Sequence, residues 1–258
     1  MTTSRYDPRS PRRRITDELR EKIRSGELPP GARLPGIKDL MQQFDVSYET
    51  ARHAINELRA MGLVETRQGK GSYVREYEPY EWWPAVFEHR DHRADKPGPE
   101  HDAWKATVAA MGRSPRQTAT PARVIPPPVV ARHLGTPDGE EVIVRYRTRY
   151  VDDVPVQTAD SYYPLWVAEG TLIELADGDI NIPGGLMAHV GHQQVRFDDT
   201  LTIRMPTPED QRRLDLAATG TPVAEHVRVG FNADNRPVRV IITVAPGDRN
   251  ILRWQFEA

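Results

Sequence analysis

The stretch from Val46 to Val74, which reads VSYETARHAINELRAMGLVETRQGKGSYV, constrains the fold of this chain more than any other. Its first half predicts a helix capped by Ser47, because Ala51, Ile55 and Leu58 recur at the spacing of one helical face. Its second half predicts two short strands joined by a tight turn, whose two glycines accept positive φ. The chain must therefore place a helix directly before a small, basic hairpin.

Two shorter helical segments precede this unit. Ser10 and Pro11 are typical of a helix start, a capping hydroxyl followed by proline at the first helical position, and Gly26 ends that helix. A second helix is predicted from about Gly36 to Phe44, with a turn of about three residues before the Ser47 helix. Two helices joined in this way form a helix-turn-helix, and the hairpin is its wing. The predicted partner is double-stranded DNA, with the helix in the major groove.

The charge distribution agrees with a polyanion partner for the first part of the chain alone. Residues 1–75 carry 15 lysines and arginines against 10 acidic residues, whereas the remainder carries 20 against 27. The absence of cysteine excludes disulfides, thiolate metal sites and cysteine nucleophiles. With 28% charged residues and no apolar run of membrane-spanning length, we expect a soluble, cytoplasmic protein without a membrane partner.

The segment from Ile15 to Val74 also follows a known pattern, LRxxIxxGxLPPGxxLP and then VSxxTxRxAxxxLxxxGLVxxxxGxGxxV. In spacing and in residue type it resembles the winged helix-turn-helix of the GntR family of bacterial transcription regulators. The resemblance implies that the DNA-contacting positions are Lys38, Ser47, Thr50, Arg52, Gly69, Lys70 and Gly71.

The chain departs from the family pattern at Gly36, Lys38 and Tyr48, where the family commonly has serine, arginine and arginine. Tyr48 stays among the candidate DNA contacts, and the departures leave the operator sequence open. Arg12 and Arg13 belong to a basic run at the start of the first helix. They are either further phosphate contacts or a solvated surface.

The rest of the chain predicts a linker and a second domain. Residues 76–101 alternate prolines, charges and aromatic side chains without a sustained period, which indicates a linker whose Trp82, Trp83 and Phe87 pack back onto one domain. A short helix then ends at Gly112, and another helix is predicted from Pro208 to Ala218. Strands are predicted at 117–125, 141–151, 154–163, 192–204, 222–232 and 238–245.

This order of elements predicts two domains. A winged helix-turn-helix spans residues 1–75, and an α+β domain with a largely antiparallel sheet spans residues 102–258. Within the second domain, the run VRYRTRY places Arg145, Arg147 and Arg149 on one face of a strand. Three arginines on one face are either a solvated surface or the wall of an anion-binding pocket.

The second domain resembles a known module as well. Arg147 to Pro155, Ser161 to Pro164 and the later runs MPTPEDQRRL, GTPV and RPV are similar to the UTRA effector domain of the HutC-type branch of the GntR family. The resemblance covers roughly Trp104 to Phe256 and implies a fold like that of chorismate lyase. The positions that it implies for a small-molecule pocket are Arg147, Arg149, Ser161 and Tyr163.

Two positions of this pocket depart from relatives that bind amino sugars. Arg239 and Ala159 stand where those relatives carry glutamates. We include Arg239 among the effector-binding candidates, because a guanidinium in place of a carboxylate favours a more anionic ligand. A pocket that binds nothing is the other interpretation, and the sequence leaves both open.

No catalytic residue, metal site or cofactor is predicted. His189 and His192 lie three positions apart, but the segment is rich in glycine and shows no third ligand. The wing sequence GKGS lacks the first glycine and the strand–helix setting of a phosphate loop. Likeness to a lyase fold does not bring the chemistry of the lyase with it.

The sequence thus predicts a homodimeric transcriptional regulator, a repressor whose affinity for an inverted-repeat operator responds to a small anionic effector. A repressor of plasmid or mobile-element genes that needs no effector is the first alternative. An enzyme that acts on an anionic metabolite with the second domain is the other.

Overall fold

The computed structural model of the chain describes residues 10–67, 69–75, 79–84, 103–182, 185–216 and 221–255. The chain divides into two compact units, one made chiefly of Met1–Glu78 and the other of Pro79–Leu216 with Pro222–Ala258. Within the described ranges, no helix combines the length and the apolar character needed to cross a membrane.

The first unit has the predicted order of three helices and a hairpin. Its elements are α1 (Pro11–Arg24), α2 (Ile37–Phe44), α3 (Tyr48–Ala60), β1 (Val64–Arg67) and β2 (Gly71–Val74). Ser10 Oγ accepts a hydrogen bond from the Arg13 N–H at 3.4 Å, and Ser47 Oγ accepts one from the Thr50 N–H at 3.2 Å. The two predicted serine caps are confirmed, and they satisfy backbone donors that a helix start otherwise leaves open.

One apolar core holds the first unit together. It comprises Ile15, Leu19, Leu34, Leu40, Ala51, Ala54, Ile55, Leu58, Val64 and Val74. Val64 and Val74 pair across the hairpin, at its base. The wing is therefore anchored to the helices at that base, while Gly69 and Lys70 at its tip are exposed.

The second unit is an α+β domain. Its strands are β3 (Tyr80–Trp82), β4 (Pro115–Val124), β5 (Val142–Val151), β6 (Val154–Pro164), β7 (Arg196–Arg204), β8 (Val223–Phe231), β9 (Pro237–Pro246) and β10 (Asn250–Leu252). Its helices are α4 (Ala103–Ala110), α5 (Pro128–Leu134), α6 (Leu165–Ala168), α7 (Leu172–Leu175), α8 (Leu186–His189) and α9 (Pro208–Arg213). Six strands form one sheet in the order β4-β5-β6-β9-β8-β7, and the predicted antiparallel pairing is confirmed.

The two faces of this sheet differ in character. One face packs Val144, Tyr162, Val229 and Val240 against Val130 of α5 in an apolar core. Side chains alternate between the faces along each strand, so the intervening residues lie on the opposite face. That opposite face carries most of the arginines of the sheet.

β3 lies within residues for which the sequence predicts a linker. It pairs in parallel with β10, with Tyr80 opposite Asn250 and Trp82 opposite Leu252. Trp82 is only 3% exposed, so the expected packing of this tryptophan onto a domain is confirmed. Phe87, for which the same packing was expected, lies outside the described residues.

The helix predicted from Pro208 to Ala218 is shorter than expected. α9 ends at Arg213, and Asp215 has a left-handed φ of 47°, which no helix continues through. The guanidinium of Arg249 donates hydrogen bonds to the carbonyls of Leu214 and Asp215 at 2.5 and 2.9 Å. A side chain from the C-terminal region therefore takes up carbonyls at the end of the helix.

Arg145 is a structural arginine of β5 and is fully buried. Its guanidinium donates hydrogen bonds to the carbonyl oxygens of Ile173 at 3.0 Å and Ala176 at 2.7 Å, and also to that of Gly178. Burial lowers the pKa of this guanidinium. Arg145 therefore ties α7 and the chain after it to the sheet.

Arg145→Ala is expected to lower the free energy of unfolding by about 2–4 kcal/mol, because it leaves buried carbonyls without donors. The five tryptophans of the chain, Trp82, Trp83, Trp104, Trp166 and Trp254, all belong to the second unit. Their fluorescence in a urea titration therefore reports on this unit. Arg132→Ala at an exposed position of α5 is the control and should change the free energy by less than about 0.5 kcal/mol. An equal, small effect of both variants would contradict the anchoring role.

Candidate functional site

The exposed start of α3 presents the predicted recognition side chains. Ser47 uses its hydroxyl for the cap and lies 2.9 Å from Thr50 Oγ1. Tyr48 is 52% exposed, and Arg52 follows one turn later on an exposed part of the helix. The Arg52 guanidinium is 2.9 Å from the Glu49 carboxylate. Such an exposed ion pair contributes little stability, so Arg52 can leave this partner at small cost.

Three further predicted cations lie on α1 and α2. Lys38 and Arg13 are exposed, and their side chains form no hydrogen bond or ion pair with the described residues. Arg12 Nε lies 3.4 Å from the Glu57 carboxylate of α3, again at an exposed pair. These cations are therefore available to an external anion, while Arg12 also links the first helix to the third.

The wing tip has the backbone that its glycines predict. Gly69 and Gly71 have φ of 71° and 104°, a region that other residues rarely adopt. The Lys70 N–H donates to the Arg67 carbonyl at 2.9 Å, which closes the turn, and the Tyr73 hydroxyl donates to the Lys70 carbonyl at 3.2 Å. Lys70 is thus exposed on a turn of fixed geometry.

Arg33 joins the wing, and the sequence interpretation missed it. Arg33 forms an isolated β-bridge with Tyr73, and a Cβ added to Gly71 would meet its Nε at 3.3 Å. Glycine at position 71 therefore leaves room for the guanidinium beside the wing tip. The run PPGARLP that contains Arg33 is apolar and turn-rich, so no periodic signal marks this residue.

A second candidate site is a cavity of about 50 Å³ on the arginine-bearing face of the sheet. Its wall consists of Trp82, Pro84, Arg147, Arg149, Ala159, His226, Arg228, Arg239, Ile241 and Thr243. None of these described wall residues is acidic. The space suits a small anionic group such as a phosphate or a carboxylate, and it is smaller than the pockets of drug-sized ligands. Three of the predicted effector residues, Arg147, Arg149 and Arg239, meet here.

Arg147 differs from its neighbours because its backbone is held firmly and its side chain is not. The ladder between β5 and β6 is interrupted at this position. The Asp160 carboxylate accepts a hydrogen bond from the Arg147 N–H at 3.0 Å, and Arg213 of α9 donates to the Arg147 carbonyl at 3.0 Å. Asp160 and Arg213 are paired with each other at 2.6 Å. The Arg147 guanidinium itself has no hydrogen-bond or ion-pair partner among the described residues, and its Nε is buried.

Arg149 and Arg239 are oriented by uncharged groups. Arg149 Nη1 lies 3.5 Å from Gln157 Oε1, and its guanidinium lies 5.2 Å from the centre of the Trp104 ring. Arg239 Nη2 donates to Ser161 Oγ at 2.8 Å, and its guanidinium lies 5.5 Å from the centre of the Tyr163 ring.

Ser161 and Tyr163 lie deeper in the domain than the cavity arginines. They are 0% and 1% exposed and are not part of the cavity wall. The Ser161 hydroxyl accepts the hydrogen bond from Arg239, and the role of both residues in effector binding stays a prediction. The sequence placed the five predicted effector residues in one region of the domain, but it did not show which of them line the cavity and which lie beneath its wall.

The cavity wall includes three side chains that the sequence interpretation did not assign to a ligand site, Trp82, His226 and Arg228. Arg228 donates to both carboxylate oxygens of Asp199, at 2.7 and 2.6 Å, and His226 Nε2 lies 3.3 Å from the same group. Burial alone would raise the pKa of Asp199, but the hydrogen bonds from Arg228 and the nearby His226 ring outweigh it and hold that pKa well below its ordinary value. Trp82 packs edge-on against His226 at 5.4 Å. Arg228 is thus paired with a carboxylate, whereas the Arg147 side chain forms no ion pair within the described residues.

The two histidines considered as metal ligands do not form a metal site with other described residues. No group of three or more histidine or acidic side chains within the described ranges is arranged to hold a metal ion. His192 packs edge-on against Trp166, with 5.1 Å between the ring centres. Its ring therefore has a packing role.

Each of the two units matches a known family of protein domains. Residues 11–74 match the model of the bacterial regulatory proteins of the gntR family, and residues 110–250 match that of the UTRA domain. The HTH-type transcriptional regulator SCO4628 of Streptomyces coelicolor is 31% identical over 257 residues, 97% of this chain and 93% of that protein. The mannosyl-D-glycerate transport/metabolism system repressor MngR of Escherichia coli is 26% identical over 231 residues, 87% of this chain and 86% of that protein.

Two solved structures share the fold along most of the chain. One, described as a GntR-family transcriptional regulator, has a TM-score of 0.62 and 22% identity and covers 98% of this chain and 100% of its own. The other, PhnF from Mycobacterium smegmatis, has a TM-score of 0.56 and 20% identity and covers 95% and 99%. The chain therefore belongs to the GntR family of bacterial transcriptional regulators and is a DNA-binding regulator of the HutC type, with a UTRA effector domain C-terminal to its winged helix.

Proposed function

We propose that this regulator is a cytoplasmic, homodimeric repressor whose affinity for an inverted-repeat operator changes when a small anion binds in the arginine cavity. The observation that carries the effector part is Arg147, a partly buried guanidinium without a side-chain partner among the described residues. Its buried Nε lacks an acceptor, which a bound anion would supply. Bidentate hydrogen bonding to phosphate or carboxylate is what a guanidinium does best.

The proposed DNA contacts divide by chemistry. Tyr48, Thr50 and Arg52 at the start of α3 are suited to base edges in the major groove. Lys38, Lys70 and the basic run with Arg12 and Arg13 are suited to phosphates, which give affinity without sequence preference. Two such helices read an inverted repeat when their half-sites are about 34 Å apart, which is the reason for proposing a dimer.

The proposed effector contacts are Arg147, Arg149 and Arg239, with Ser161 and Tyr163 behind Arg239. Ala159 stands where relatives that bind amino sugars carry a glutamate. This position therefore adds no negative charge to the cavity wall. One relative is named as the repressor of a metabolic and transport system, which supports repression as the mode of action. The effector controls DNA binding if its binding free energy differs by about 1–3 kcal/mol between the DNA-free and the DNA-bound arrangement.

The test of the proposal is a fluorescence-anisotropy titration of the purified protein against its own promoter DNA and a scrambled duplex, at two salt concentrations. We expect a specificity ratio of roughly 10³ or more and two protomers per site. Equal, weak binding to both duplexes would contradict an operator-binding repressor.

Arg52→Ala is expected to cost about 1–3 kcal/mol of binding free energy at the operator and little on random DNA, because it removes a base contact. Glu49→Ala removes only the partner that holds Arg52 and serves as the comparison. Anisotropy with both duplexes measures the effect. Equal losses on operator and random DNA would identify Arg52 as a phosphate contact.

Lys70→Ala is expected to weaken binding to all sequences and to reduce the slope of log affinity against log salt by about one, since one phosphate contact is lost. Arg24→Ala is the matched control, because Arg24 is exposed and already paired with Glu21 at 2.6 Å. A slope that Lys70→Ala leaves unchanged would remove the wing tip from the phosphate contacts.

Arg147→Ala is expected to leave folding and operator affinity intact and to abolish the rise in unfolding temperature that inorganic phosphate causes in the wild type. The reason is that the Arg147 side chain contributes no internal hydrogen bond, while an anion bound only to the folded state stabilises it. Differential scanning fluorimetry at constant ionic strength measures the shift. Unfolding of the domain by this substitution, as expected for Arg145→Ala, would show that Arg147 is structural.

A further inference from the structure

We propose that Gln194, whose amide packs over Gly230, forms an uncharged subsite beside the arginine cavity, which recognises a hydroxyl or amide group of the effector. This inference rests on the proposed effector function and adds the second half of the ligand. The cavity arginines select an anion, and the Gln194 amide selects a polar, uncharged group attached to it.

Gln194 is a buried amide that the fold itself does not satisfy. It is 6% exposed, and neither Oε1 nor Nε2 has a hydrogen-bond partner among the described residues. A glutamine amide carries two donor hydrogens and an acceptor oxygen. Burying these groups unpaired is unfavourable, and an apolar side chain of the same size would fill the space without that cost. The donors and the acceptor of this amide are therefore available to hydrogen-bond a ligand.

The Gln194 amide occupies the space that a side chain at position 230 would fill. A Cβ added to Gly230 would lie 1.5 Å from Gln194 Nε2 and 2.7 Å from its Cδ. Any other residue at position 230 would displace the amide, so the missing side chain and the buried glutamine form one arrangement. The Val195 N–H donates to the Phe231 carbonyl at 2.8 Å, which holds the Gln194 segment against this end of β8.

The sheet register places this arrangement next to the cavity arginines. Gly230 is directly opposite Arg239 across β8 and β9, and Arg228 precedes it by two residues on the same strand. Cross-strand partners, and residues two apart along a strand, lie on the same face of a sheet. Both arginines belong to the cavity wall. The amide over Gly230 therefore lies on the cavity face, within about one residue spacing of Arg239.

The ligand chemistry that fits both parts is an anionic group with a hydroxyl or amide a few bonds away. Inorganic phosphate presents the first part alone, and glycerol 3-phosphate presents both. Calorimetric titration of the full-length protein with these two probes, at constant ionic strength, separates the two contributions. In the wild type we expect glycerol 3-phosphate to bind roughly 5- to 10-fold more tightly than inorganic phosphate, the effect of one added hydrogen bond.

Gln194→Leu is expected to reduce this ratio to about one while the affinity for inorganic phosphate stays as in the wild type. Because the amide has no internal partner among the described residues, the unfolding temperature should be unchanged or higher. Gln193→Leu at the exposed neighbouring position is the matched control and should keep the wild-type ratio.

The outcomes distinguish the subsite from the cavity. A wild-type protein that binds phosphate without preferring glycerol 3-phosphate would overturn the subsite and leave the arginine cavity in place. A ratio that survives Gln194→Leu, or a lower unfolding temperature with both affinities reduced, would assign the glutamine a structural role instead. Binding of neither probe by the wild type would overturn the proposed effector function together with the subsite.

Discussion

The effector domain depends on how one strand accommodates a row of arginines inside a folded sheet. Each arginine of β5 meets the constraint differently. Arg145 is buried and donates to backbone carbonyls, and Arg149 lies beside Gln157 and against the Trp104 ring. Arg147 lacks such a side-chain partner among the described residues, yet its backbone is fixed by the Asp160–Arg213 pair. The fold thus immobilises the main chain of Arg147 and leaves its charge for a ligand.

The wall around Arg147 explains why the ligand should be an anion. Arg239 adds a second guanidinium, which donates a hydrogen bond to Ser161, and Asp199 beside the wall is already shared by Arg228 and His226. Arg147, Arg149 and Arg239 line the same cavity, and like charges repel one another in a site of reduced solvation. Binding one phosphate or carboxylate relieves that repulsion, which gives the ligand a means of stabilising one arrangement of the domain over another.

The sequence predicted the winged helix almost completely and the cavity only in part, for physical reasons. Serine caps, glycine turns and helical spacing depend on residues close together in the chain. The roles of Ser10, Ser47 and the wing glycines could therefore be predicted from the sequence. The pairing of β3 with β10 joins the two ends of the effector domain, and no local pattern reports it. For the same reason the place of Trp82 in the cavity wall and the role of Gln194 were not predicted. Arg145 was not separated from Arg147, because alternation along a strand gives the face of a side chain but not its partners.

The central claim is that occupation of the arginine cavity changes affinity for DNA. The most direct measurement is the operator dissociation constant with and without glycerol 3-phosphate, at constant ionic strength, for the wild type and for Arg147→Ala. The account predicts a change of roughly 5- to 150-fold in the wild type and none in the variant. An operator affinity that glycerol 3-phosphate leaves unchanged in the wild type, or changes equally in both proteins, would contradict it.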